Sequence, residues 1–171
     1  MKQKMLLLGF FLLFVTFSFI VIYKSIGSSN IEIIWGKQFG TDKNEEITGV
    51  TVDSQGNIYV IGSIEGNLFG TNVGEKDIFI AKFSLDGELI WEKQLGTIED
   101  DVPFDIAVDS DRNFYVVGAT CGDLFGKLVR KWSEDAFVVK FSSKGEIIWS
   151  KQFGTLDKIG LKVLLLIIKI G

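Results

Sequence analysis

The chain has 171 residues, enough for one domain with its own core, and it is 47% hydrophobic and 13% aromatic, which excludes a disordered polypeptide. Its 18 basic residues against 22 acidic ones give a net charge of −4 and no basic cluster for a phosphate backbone, so nucleic acid is excluded as a partner. One cysteine, Cys121, rules out an internal disulfide, and the absence of histidine removes the usual general base and zinc ligand.

Met1-Lys2-Gln3-Lys4 is basic, and residues 5–23 (MLLLGFFLLFVTFSFIVIY) then run 19 positions without a charge. As a helix this run would extend roughly 28 Å at about 1.5 Å per residue, close to the hydrocarbon thickness of a bilayer. Tyr23 and Lys24 stand where interfacial anchors belong, and the basic start keeps the amino terminus cytoplasmic. Residues 1–24 are therefore expected to be one hydrophobic helix. It is either a transmembrane anchor or a signal peptide cut before Ser28, with Ser25 and Gly27 as the small residues of the cleavage site. No cysteine follows the run, which argues against a lipoprotein. Both readings put the rest of the chain on the extracytoplasmic side, anchored or secreted. Residues 25–30 read as a short linker. Removing Lys2, Lys4 and Lys24 from the 18 basic residues leaves 15 against 22 acids, a net charge of −7, which favours solubility.

From residue 31 the chain is repetitive. Ile34-Trp35-Gly36-Lys37-Gln38-Phe39-Gly40 returns as Ile90-Trp91-Glu92-Lys93-Gln94-Leu95-Gly96 and again as Ile148-Trp149-Ser150-Lys151-Gln152-Phe153-Gly154. The tryptophans lie 56 and 58 residues apart, and 25 of 56 positions agree between residues 35–90 and 91–148 once two residues before Asp135 are set aside. Within each unit, Val50-Thr51-Val52-Asp53 and Ile106-Ala107-Val108-Asp109 precede Asp-Ser-x-x-Asn turns, and Tyr59 and Tyr115 follow on the next strand. Arg112 replaces Gly56 in the second of these turns, which implies strain or a different turn type. A second hairpin spans residues 78–94 with its turn at Leu85-Asp86-Gly87, matched by residues 136–152 with a turn at Ser143-Lys144-Gly145. About 15 residues join the hairpins, including Gly66-Asn67-Leu68-Phe69-Gly70 and Gly122-Asp123-Leu124-Phe125-Gly126.

Four antiparallel strands repeated in tandem describe the blade of a β-propeller, because one blade cannot bury both of its faces alone. The fold class expected is all-β: a partial β-propeller over residues 31–155, with units 35–90 and 91–148 and a third begun at 149. The opening strand at residues 31–40 has the pattern of a unit's last strand, which in a closed propeller completes the final blade. The patterns W-x-K-Q-[FL]-G-T, V-D-S-x-x-N-x-Y-V-x-G and D-x-F-x-x-K-F-S-x-x-G-E-x-I-W resemble the seven-bladed β-propeller repeat called SBBP, found in exported bacterial proteins. The resemblance covers residues 35–155. It implies a propeller scaffold and supplies no catalytic residues. A weaker resemblance, through Asp86-Gly87-Glu88-Leu89-Ile90-Trp91, is to the tryptophan-docking repeats of quinoprotein-like propellers, whose repeats are usually shorter.

After Thr155 the pattern stops. Residues 156–171 form an apolar tail with no Asp-Ser-x-x-Asn turn and no Tyr. Two readings stand: a truncated or frame-shifted product, or a strand or short helix that covers the open end of the sheets.

The candidate chemistry divides in the same way. Asp53 with Asn57, and Asp109 with Asp111 and Asn113, offer oxygens to Ca²⁺ or serve as backbone-bonding turns, and the turn is favoured because Ca²⁺ takes 6–8 ligands. The acidic runs at residues 42–46 and 99–101 are read as solvated loops. Lys82 and Lys140 are placed on the wet face of a strand. Cys121, with no adjacent cation, is read as an inert thiol. Trp35, Trp91 and Trp149 are either a stacking platform for sugar or quinone or, as expected for one per repeat, inter-blade packing. No catalytic, cofactor-binding or metal-binding residue is assigned and no cofactor is expected. The function expected is a non-enzymatic structural or binding module. Its partners are the membrane through residues 5–23, a protein or glycan, and other copies of itself. The alternative is a quinoprotein-like propeller whose site lies on further blades.

Overall fold

The computed structural model describes residues 7–9, 18–26, 30–128 and 133–154. All regular structure among them is β, in three antiparallel sheets with strands in consecutive order. The first sheet holds β1 (Leu7–Gly9), β2 (Ser18–Ile26) and β3 (Asn30–Phe39). The second holds β4 (Glu45–Val52), β5 (Ile58–Ile64), β6 (Asp77–Phe83) and β7 (Leu89–Leu95). The third holds β8 (Asp101–Val108), β9 (Phe114–Thr120), β10 (Asp135–Phe141) and β11 (Ile147–Phe153). The four strands expected per unit are thus present, and the two complete sheets are meanders arranged as neighbouring blades.

The tryptophan segment closes each sheet, as the hairpin at residues 78–94 implies, so β11, the third copy, completes the third sheet and does not begin a further unit at 149. β3 does not complete that sheet. It pairs with β2, Ile22 opposite Trp35 and Tyr23 opposite Ile33 across a bulge. This is the register of Lys82 opposite Trp91 and Phe83 opposite Leu89. The first sheet is therefore built like strands two to four of a blade.

The helix expected over residues 5–23 falls partly outside the described residues. Its described pieces are extended: β1 pairs with β2 through Leu7 opposite Tyr23 and Leu8 opposite Ile22. Ser25, Ile26 and Asn30 of the expected linker belong to the β2–β3 hairpin. No helix of the described residues is long and apolar enough to cross a membrane. The tail at residues 156–171 lies outside the described residues.

Two apolar layers lie between the sheets. In the first, Trp35 and Phe39 of β3 pack on Ile58, Val60, Phe79 and Phe83 of the second sheet. In the other, Tyr59, Ile61, Ile78 and Ile80 from the opposite face of that sheet meet Phe114, Val116, Phe137 and Phe141 of the third. Covered on both sides, β5 and β6 are buried at every position. Covered on one side only by the described residues, β9 and β10 alternate between buried and half-buried along most of their length.

The hairpin turns show how sequence fixes backbone. Gly56 adopts φ +85°, and Arg112 occupies the equivalent left-handed position at φ +66°. The turn type is the same in both units, so the substitution is absorbed as strain. Its guanidinium reaches across to Gln55 of the neighbouring unit. A left-handed conformation disfavours any residue with a Cβ by about 1 kcal/mol or more. Arg112→Gly is therefore expected to raise stability by up to about 1 kcal/mol, and Gly56→Arg to lower it by about as much, both measured by urea denaturation.

Candidate functional site

Each unit carries the same buried polar network at its first turn. Asp53 Oδ1 accepts the backbone N–H of Gln55 and of Asn57, both at 2.9 Å. Its Oδ2 accepts the Asn57 side-chain amide at 2.8 Å and the Tyr59 hydroxyl at 3.4 Å, with the Lys82 ammonium 3.8 Å away. The second unit repeats this with Asp109, Asp111, Asn113, Tyr115 and Lys140, the ammonium standing 3.1 Å from the carboxylate. The aspartate oxygens are taken up by the turn, so its Asp and Asn act as hairpin chemistry. Among the described residues no three His, Cys, Asp or Glu side chains converge around a possible metal position.

Lys140 stands half-buried beside Tyr115 on the open face of the third sheet, as expected, but Lys82 is not on a wet face. Lys82 is buried, lies 4.7 Å over the Tyr59 ring, and donates to the Ser143 carbonyl of the next sheet at 3.3 Å. Lys140 lies 4.9 Å over the Tyr115 ring. The alternation of Lys with Phe reads as a half-solvated strand, but a neighbouring aspartate turn lets the lysine face be covered. Burial pushes the Lys82 ammonium below its ordinary value, partly offset by Asp53. Burial alone would raise Asp53, but the Asn57 and Gln55 hydrogen bonds and Lys82 outweigh it and hold the carboxyl low. Asp109 is lowered on the same balance, with the Lys140 hydrogen bond the largest opposing cause.

The acidic runs divide. Asp42, Lys43 and Asn44 are exposed, as expected of a solvated loop. Asp101 is fully buried, accepting from the Thr97 backbone and hydroxyl and from the Thr120 hydroxyl. It fastens the start of β8 to the loop before it. Burial raises its carboxyl despite these bonds. Cys121 is half-buried, and burial together with Glu134, Asp100, Asp101 and Glu99 pushes its thiol up to about 11. The thiol is therefore un-ionised at neutral pH, as expected of an inert cysteine.

The tryptophan segments do the joining. The Trp35 indole N–H donates to the Leu85 carbonyl at 2.8 Å, and the Trp91 indole N–H to the Ser143 carbonyl at 3.2 Å. Each ring covers the turn glycine of the next hairpin. A Cβ on Gly87 would lie 2.9 Å from Trp35, and one on Gly145 would lie 3.3 Å from Trp91. Lys93 adds a 2.6 Å bond to the Gly145 carbonyl. The packing role holds for Trp35 and Trp91; among the described residues Trp149 is 41% exposed and touches Tyr115 of its own sheet. Phe153, Ile147 and Ile148 are exposed beside it.

Sequence reasoning passed over the glutamines of the same segment. Gln94 accepts from Leu68 and Phe69 N–H and donates to the Gly66 carbonyl and Asp77. Gln152 accepts from Phe125 N–H and donates to the Gly122 carbonyl and Asp135. The signal was present: Lys-Gln and Gly-x-Leu-Phe-Gly recur together, as two halves of one clamp do.

The pH dependence follows from these groups. Asp53 and Asp109 lie below the ordinary carboxyl value of 3.8 in the fold, so their ionised form stabilises it. That contribution is complete above about pH 4 and is lost as pH falls through the folded values. Asp101, raised, acts in the opposite sense and gains stability as pH falls through its folded value. Asp53→Asn with Asp109→Asn is expected to remove about 2 kcal/mol at neutral pH and to flatten the loss of stability below about pH 4. Urea titrations at stepped pH read both effects.

No curated protein matches the chain in sequence. Two stretches, residues 34–70 and 90–126, match the family described as SBBP, a beta-propeller repeat. Each match runs from a tryptophan strand, through the first hairpin with its aspartate turn, to the Gly-x-Leu-Phe-Gly connection. The chain thus carries two SBBP beta-propeller repeats.

Proposed function

We propose that the chain is a non-enzymatic propeller-repeat module on the extracytoplasmic side of a membrane, where it holds a protein or glycan partner. One observation carries this reading. The polar side chains repeated from unit to unit, Asp53/Asp109, Lys82/Lys140 and Gln94/Gln152, are taken up in turns and clamps. The last sheet meanwhile presents Trp149, Phe153 and Ile148 to solvent. A surface with spent polar groups and open aromatics suits recognition better than bond-making.

Support for the tether is compositional: 19 uncharged residues after a doubly basic start. Cleavage before Ser28 would release the same module as a secreted protein. In cells producing the full chain, the protein is expected in a carbonate-resistant membrane fraction with its repeats open to protease from outside. Deleting residues 5–23 should leave it in the cytoplasm. A soluble cytoplasmic full-length protein would sink the tether. The non-enzymatic reading is tested separately, by absorbance of the purified protein for a bound quinone and by Ca²⁺ calorimetry. A stoichiometric cofactor would replace it with a quinoprotein-like site.

A further inference from the structure

The face that the second sheet buries against the third is left open on the third. Tyr59, Ile61 and Ile80 are almost fully buried there. Their counterparts Tyr115, Val117 and Val138 are half-buried, and Trp149 and Phe153 stand exposed where Trp91 and Leu95 are packed. Among the described residues nothing lies over this face. What would fit it is known from within the molecule: a hairpin turn offering a carbonyl to the indole N–H and a glycine beneath the ring, as Ser143 and Gly145 offer Trp91.

The second sheet carries such a surface at Leu85 and Gly87, and Trp35 and Phe39 of β3 occupy it. β3 and β11 are nearly the same segment. Residues 34–40 and 148–154 differ only at Gly36 and Ser150. Two segments so alike make nearly equal contacts with one acceptor. They differ in what they bring with them, because β3 carries a three-stranded sheet and β11 a four-stranded one. The inner strand of a full sheet adds contact of the kind already made between β4 and β8.

We infer that a second copy of this chain is the occupant: β11 of one copy displaces β3 of another from the Leu85–Gly87 turn and docks there through Trp149. The contact is heterologous, so it repeats head to tail. Lys151, exposed on β11, would take the place that Lys93 takes within the chain. The inference rests on reading the chain as a binding module and names the module's partner.

The test is sedimentation velocity of the full chain in nonionic detergent over a wide concentration range. Reversible association is expected. Trp149→Ala should weaken it by roughly ten-fold or more. Trp35→Ala should strengthen it, because the resident strand then yields more easily. This opposite sign separates strand exchange from adhesion through the apolar segments. Phe153→Ser repeats the first arm at another exposed side chain. Trp35→Phe, which keeps a ring but has no N–H to donate, repeats the second with less risk to folding, and circular dichroism checks each variant. A monomer at every concentration overturns the inference, whether the face is bare or covered by residues 155–171. So does association indifferent to Trp149, or association weakened by Trp35→Phe. These outcomes leave the module reading standing, which only a bound cofactor or turnover removes.

Discussion

Each sheet is joined to the next by one tryptophan whose indole must lie flat on a turn while its N–H reaches a carbonyl in that turn. The demand is severe for so small a contact. It requires a glycine under the ring, and Gly87 and Gly145 also take up φ of +83° and +80°. It requires the indole to leave its strand where the ladder slips, and bulges fall at Lys82/Phe83 and Lys140/Phe141 opposite the tryptophan strands. It fixes the stagger between sheets, which then decides which aromatic rings meet. Trp91 stacks on Phe114 at 5.8 Å, and Phe114 stacks on Phe141 at 4.9 Å. The layers between sheets follow from that one placement.

The buried Lys82–Asp53 pair plays a different part. Drawing two charges out of water costs much of what their attraction returns, so such a pair is a weak source of stability. What it supplies is direction. Lys82 ties the turn of its own sheet, through Asp53 and Tyr59, to the Ser143 carbonyl of the next. The same carbonyl receives Trp91. An apolar residue at 82 would fill the space but would leave Asp53 without its counter-charge and the two sheets without this polar link.

Much of this fold was legible in the sequence because the repeat exposes it. Strand number, strand pairing in each hairpin and the role of Asp53 and Asp109 as turn residues follow from alternation and turn chemistry alone. So does the place of Trp91 as the last strand of a sheet, since the hairpin at residues 78–94 already pairs it backwards; only the cut of the units at 35–90 and 91–148 runs across the sheets, because a tandem repeat can be cut anywhere. Lys82 was misplaced because alternation marks a face but not what covers it, and its cover comes from residues 53 and 143. Asp101 was hidden inside a run of acids that reads as solvated, although a threonine four residues before it and another at 120 take up its oxygens.

The uneven burial of β5 and β9 gives one substitution two outcomes. The two strands share Tyr, Val and Gly at matching positions, yet Tyr59 is sealed between layers and Tyr115 is not. A polar side chain at 59 would be stranded away from water, while the same side chain at 115 could still be hydrated, so identical positions tolerate different chemistry by nothing more than their place in the stack.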